Sequence, residues 1–243
     1  MPDGVLGWGL RVLWVVWAVL LIGGLTLGRP DAARRNRLPR PVRMMLSATL
    51  LLAALLWLRV DSQTGLLHYG AWIVLGMALG LLGDLFMAGL LVRKPHNLPF
   101  GILTFGLGHL AYVYAFWTLG RTLNLGSGPV WLWSWLLTLA AGLLLWTLLL
   151  RQPARGAVLN VGTLVYALLI SLMSGAAFAM ALQTGMLWPL AAGAVLFMVS
   201  DFVLGRELMR GPDFPFVGDV IWVTYTAAQM LIVYSSAWAL RLV

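Results

Sequence analysis

The sequence predicts an all-α membrane protein with eight transmembrane helices, and three observations carry that prediction. The 243 residues are 61% hydrophobic and 10% charged, with a mean hydropathy of +0.92. A soluble domain has roughly 45–50% apolar and about 25% charged residues. Eight apolar runs reach the ~17–25 residues that a bilayer-spanning helix needs. The positive surplus, +8, sits in short loops between those runs. That placement is a topology signal and not a nucleic-acid surface, so no nucleic-acid partner is expected.

Cutting at Pro, Gly and charge clusters gives one transmembrane domain, 1–243, with spans at about 5–27, 43–60, 67–92, 100–119, 129–150, 158–182, 186–208 and 216–240. The first run holds Arg11 and ends without a small-residue cleavage pattern, so it reads as a retained span and not a signal peptide. An Arg-rich loop leads into the second span. The third span carries Asp84, and Gly80, four residues earlier, shares its helix face. The fourth carries His109 and Tyr112, three apart and on one face. The fifth opens on Pro129 with Trp131 and Trp133, which read as interface anchors, as do Trp8, Trp188 and Trp238. Only Gln183-Thr184-Gly185 separates the sixth and seventh spans, and Pro189 falls in the first turn of the seventh, where its missing N–H costs nothing. Asp201 lies in that seventh span. The eighth carries Asp219 near its start, then Tyr225 and Gln229 four apart on one face.

Arg and Lys set the expected orientation. The loops after spans one, three, five and seven hold Arg29, Arg34, Arg35, Arg37, Arg40, Arg43, Arg93, Lys94, Arg151, Arg155, Arg206 and Arg210. The other side receives only Arg11, Arg59, Arg121 and Arg241. By the positive-inside rule both termini face away from the cytoplasm, as expected for a bacterial inner (cytoplasmic) membrane protein. The first loop is basic enough to attract anionic head groups as well. Glu207, beside Arg206 and Arg210, reads as an interfacial salt-bridging residue.

An ionisable side chain inside a span costs at least about 2.5–3.5 kcal/mol at its centre, which makes Asp84, Asp201 and His109 the first candidates for function. Counted from the predicted span ends, Asp84, His109, Asp201 and Tyr225 fall roughly 10–13 Å from the Arg-rich side. Asp84 followed by His109 and Tyr112, then Asp201 followed by Tyr225 and Gln229, suggests a weak four-plus-four parallel repeat. Asp219 is close enough to the start of its span to read as a first-turn acid facing the helix dipole, and it also stands among the candidate supporting, substrate-binding residues of the site.

Two carboxyl groups sharing a low-dielectric site do not behave alike: one keeps its proton while the other ionises, and the pair can act as general acid and general base or cation stabiliser. The alternative is a pair of acids hydrogen-bonded to hydroxyls or backbone to pin helices together. With no cysteine and only His109 deep in a span, no metal or cofactor is expected. No serine-nucleophile elbow, Walker loop or dinucleotide fingerprint is present. Paired intramembrane acids also suit proton relays, so a lipid-binding or proton-coupled transport protein is the alternative to an enzyme. Against a carrier, no span is broken at mid-depth by Gly or Pro.

The blocks GLLGDLFMAGL, PFGILTFGLGHLAYVYAF, GAVLFMVSDFVLG and TYTAAQMLIVYS, in that order, resemble the YhhN/lysoplasmalogenase family, with Arg40-Pro41 standing where a Lys-Pro is usual and Tyr166 to Met173 fitting loosely. The resemblance implies an eight-span hydrolase that cleaves the vinyl ether bond of a single-chain ether phospholipid, without a metal. The products implied are a fatty aldehyde and glycerophosphocholine or glycerophosphoethanolamine. It further implies Asp84 and Asp201 as the catalytic pair, with His109, Tyr112, Tyr225 and Gln229 in support. Which aspartate gives the proton is left open.

Overall fold

A computed structural model describes residues 2, 4–93, 96–125, 128–212 and 214–243. Among them, eight helices are long and apolar enough to cross a membrane. They are α1 (Gly4–Leu27), α2 (Arg40–Asp61), α3 (Leu67–Met87), α4 (Asn97–Thr122), α5 (Pro129–Leu145, continued by a π turn over Trp146–Leu150), α6 (Ala157–Thr184), α7 (Trp188–Arg210) and α8 (Val217–Val233). A short α9 (Ser236–Ala239) finishes the last crossing. No strand occurs among the described residues.

The third helix is shorter than the apolar run suggests. Gly89 adopts φ +69°, and the amides of Gly89 and Leu90 bond back to the carbonyls of Phe86 and Leu85 at 2.8 and 3.0 Å. This paired left-handed cap satisfies carbonyls that would otherwise be orphaned, and it ends α3 at Met87 although Leu90 to Val92 are apolar. Asp84 is therefore only about 5 Å from its helix end, while His109 lies about 18 Å into α4, Asp201 about 14 Å from the end of α7 and Tyr225 about 12 Å into α8. The helix ends are staggered, and an equal depth along each helix is not what brings these residues together.

Packing follows a closed ring, α2–α3–α4–α6–α7–α8, with α8 returning to α2 and also touching α3. α1 lies outside α2, and α5 lies outside α6. Advancing each helix by four positions turns α1–α2 into α5–α6, α2–α3 into α6–α7, α3–α4 into α7–α8, and α4–α6 into α8–α2. Hydrophobic collapse does not explain such a ring in lipid, where the solvent is as apolar as the side chains; close packing and interhelical hydrogen bonds do. Gly80 shows the packing term: a Cβ there would sit 2.8 Å from Gln229 Nε2 and 3.1 Å from Tyr225 Oη, so the missing methyl lets α8 bring both polar groups against α3.

The chain ends are tied to each other as well. Trp17 Nε1 donates to Thr226 Oγ1 at 2.7 Å, and Tyr234 Oη donates to the Leu10 carbonyl at 2.7 Å. Residues 28–39 form a strap from α1 to α2 across the start of α8. The Phe216 and Gly218 amides donate to the Arg34 and Arg35 carbonyls at 2.7 and 3.0 Å.

Candidate functional site

Asp84 and Asp201 line one cavity of about 490 Å³, which opens among Arg35, Arg40 and Arg43 at the strap end of the bundle. Both side chains are almost wholly enclosed. A buried carboxyl group needs hydrogen-bond donors, and the ring supplies two to each. Ser47 of α2 donates to Asp84 Oδ2 at 2.5 Å and Tyr225 of α8 donates to the same oxygen at 3.0 Å. Tyr166 of α6 donates to Asp201 Oδ2 at 2.6 Å, and His109 Nε2 of α4 lies 3.1 Å from that oxygen. In each case Oδ1 has no partner among the described residues, which leaves one oxygen of each carboxyl group to whatever fills the cavity.

The hydrogen-bond directions can be followed outward from Asp84. Tyr112 donates to Gln229 Oε1 at 2.5 Å, so the Gln229 amide presents its NH₂ to Tyr225 Oη at 3.4 Å. With its lone pair occupied, Tyr225 turns its own hydrogen to Asp84. On the other side, His109 Nδ1 is buried without a partner. An N–H there would be an unsatisfied donor, so the Nε2–H tautomer, aimed at Asp201, is the one assigned. Phe197 separates the two halves, 4.7 Å from the His109 ring and 5.3 Å from the Tyr225 ring, each edge-on. Phe105 lines the cavity and meets Tyr225 edge-on at 5.9 Å.

Six sequence-predicted residues thus come together, and they pair crosswise. His109 follows Asp84 in sequence yet serves Asp201; Tyr225 follows Asp201 yet serves Asp84. Tyr112 shares a face with His109 but joins the Asp84 side. Asp219 stands apart: its carboxylate accepts the Arg37 amide at 2.9 Å and the Leu38 amide at 3.0 Å, fixing the strap at the cavity mouth. Glu207 forms a salt bridge, as expected, with Arg35 of the strap: Nη2 donates to Oε2 at 2.7 Å and Nε lies 2.6 Å from Oε1.

Three polar residues were not singled out for the site from the sequence. Ser47 and Tyr166 are uncharged, and a hydroxyl in a span is too common to signal a site. Their spacing held the clue: Ser47 precedes Asp84 by 37 residues and Tyr166 precedes Asp201 by 35. The third, Asp61, is fully buried at the far end of α2, about 30 Å along the helix from Arg40. Its Oδ2 accepts Ser236 Oγ at 2.9 Å, and it has no place in the cavity.

No group of three or more His, Cys, Asp or Glu side chains with metal-binding geometry occurs among the described residues. A cavity with two half-free carboxyl groups and a phenol in its wall, an imidazole behind one carboxyl group and a cationic mouth can hold an anionic head group outside and move protons inside. In comparisons with known proteins, the family model described as YhhN family matches residues 42–236. No curated protein and no solved structure matches the chain.

Proposed function

The chain belongs to the YhhN family, and from that premise we propose that it is an integral membrane hydrolase that cleaves the vinyl ether bond of lysoplasmalogens. The observation that carries this reading is the pair of carboxyl groups in one cavity, each anchored through Oδ2 and free at Oδ1. Hydrolysis of R–CH=CH–O–R′ begins with proton delivery to the alkene carbon remote from oxygen, which leaves an oxocarbenium ion. Water adds to the carbon bearing oxygen and gives up a proton, and the hemiacetal breaks to R–CH₂–CHO and HO–R′. One aspartate supplies the first proton; the other lies beside the cation and takes the proton of the water. Glycosidases split the labour between two carboxyl groups in the same way.

The geometry supports a single-chain phospholipid as substrate, with its phosphate near Arg40 and Arg43 and its vinyl ether between the aspartates. The bacterial inner membrane, with the Arg-bearing end in the cytoplasm, suits the charge distribution. Aldehyde release from choline and ethanolamine lysoplasmalogens by the purified protein, without any ion gradient, is the test. Turnover by the wild type that disappears in folded Asp84→Asn and Asp201→Asn establishes the hydrolase. Absence of turnover from folded wild type with both head groups rejects it in favour of a lipid-binding or proton-coupled carrier.

A further inference from the structure

The ring has two pseudo-equivalent seams, α2/α8 and α4/α6, and they are filled differently. Anchored on the donors, Ser47 of α2 corresponds to Tyr166 of α6 and Tyr225 of α8 to His109 of α4. One turn before Ser47 stands Arg43; one turn before Tyr166 stands Gly162. Three residues before Tyr225 stands Trp222; three before His109 stands Gly106. In the first seam the Arg43 guanidinium lies over the Trp222 ring, 5.5 Å from its centre, and these two polar-edged side chains line the cavity there. In the second, a Cβ on Gly162 would meet nothing within 4 Å, and one on Gly106 would meet only Leu169 at 3.7 Å and Tyr166 at 3.9 Å. These glycines do not serve close packing, unlike Gly83 and Gly175, whose positions are filled by Phe105 and Trp135 of neighbouring helices.

The space they leave adjoins the site through shared walls. Asp201, Phe105 and Leu204 line both the polar cavity and an apolar pocket of about 130 Å³ beyond it. That pocket shares Ile102, Gly162 and Tyr166 with a groove of about 240 Å³ on the outer face of the α4/α6 seam. Leu103, Leu107 and Val165 on the rim of that groove are 57%, 45% and 52% exposed, facing where lipid chains would lie. The polarity falls steadily along this route, from the arginine mouth past the free oxygen of Asp201 to bare hydrocarbon.

We propose that the α4/α6 seam is the port through which one hydrocarbon chain of a single-chain lipid runs from the aspartates into the bilayer, and that Gly106 and Gly162 keep it open and set which chains fit. This rests on the reading of the cavity as a lipid-hydrolysing site, and the test separates the two. A saturated single-chain ether phosphocholine with a diazirine at mid-chain is photolysed with the purified protein, and the adducts are mapped by peptide mass spectrometry. Adducts confined to 102–110 and 162–169, removed by excess unlabelled lipid, are expected. Gly162→Trp should lower that labelling several-fold, with Gly162→Ala between it and the wild type. Leu137→Trp, on the exposed side of α5, should leave it unchanged. Labelling that scatters over α1 and α5, or that concentrates at α2/α8, overturns the port whether or not aldehyde is ever released. Where aldehyde is released, Gly162→Trp should reduce kcat/KM more for long than for short alkenyl chains. An equal reduction, or none, in a variant that melts like the wild type also overturns it.

Discussion

Asp84 takes its hydrogen bonds from Ser47 and Tyr225, whereas Asp201 takes them from Tyr166 and His109. The frame is shared: a hydroxyl from the preceding helix in the ring, a second donor from the helix one place further back, both on one oxygen. The chemistry is not shared. Hydroxyl donors on the Asp84 side hold their protons at neutral pH, and the Tyr112–Gln229–Tyr225 chain points one way, toward the carboxyl group. On the Asp201 side an imidazole can itself accept or release a proton. A repeated scaffold whose second donor is a phenol on one side and an imidazole on the other thus gives two similarly placed carboxyl groups different surroundings.

The largest effects should come from breaking both halves. Asp84→Asn and Asp201→Asn each remove a proton-transfer group and are expected to lower aldehyde release by about 10²–10⁴-fold. A loss in only one of them would end the division of labour. Next is the substituted donor. His109→Leu deletes a hydrogen bond to a carboxyl group, worth about 1.5–3 kcal/mol, or roughly 10- to 100-fold in kcat. His109→Gln retains an N–H near the Nε2 position. If Gln restores most of the rate, His109 only orients Asp201, and the contrast between the halves shrinks to geometry. If it does not, proton exchange by the imidazole is the difference. Smaller still, Tyr225→Phe and Ser47→Ala each leave Asp84 one donor and should cost about 0.5–1.5 kcal/mol, a few-fold in kcat.

Two further carboxylates sharpen the comparison from outside it. Asp219→Asn weakens the grip on the Arg37 and Leu38 amides and should lower stability by about 1–3 kcal/mol, read as a lower Tm, with kcat little changed. Asp31 on the strap is held below the ordinary carboxylate range, first by the Asn36 side chain and then by the Arg35 and Asn36 amides. A lowered folded pKa means that its stabilisation is complete above the unfolded value of about 3.9 and fades as pH falls through the folded one. Asp31→Asn should therefore flatten the acid limb of the melting curve slightly and leave neutral pH nearly unaffected.

Much of this was readable in the chain. Helices that meet lipid must be long and apolar, so their number and order stand out, and Asp84, Asp201 and His109 stand out against them because charge in a span is expensive. Pairing was not readable. Helix periodicity puts His109 and Tyr112 on one face, but a face a third of a turn wide reaches two neighbours, and these two residues serve different aspartates. Ser47 and Tyr166 carry no charge and so no penalty that would mark them. Asp219 bonds to amides more than 180 positions away, a contact that no local pattern encodes. The end of α3 was missed because the cap at Gly89 depends on backbone conformation, and hydropathy does not register it.

The knitting of α8 to the chain's beginning has a consequence for biogenesis. Spans reach the membrane in order, and the last one carries Tyr225, the cavity-lining Trp222, the Asp219 that secures the strap, and the bonds to Leu10 and Thr226's partner Trp17. Until synthesis is complete, Asp84 lacks half its donors, the strap hangs loose and the wall between α2 and α7 is missing. Assembly of the site is thereby coupled to completion of the polypeptide, and a chain truncated before α8 should be cleared as an orphaned bundle and not persist as a partly active one.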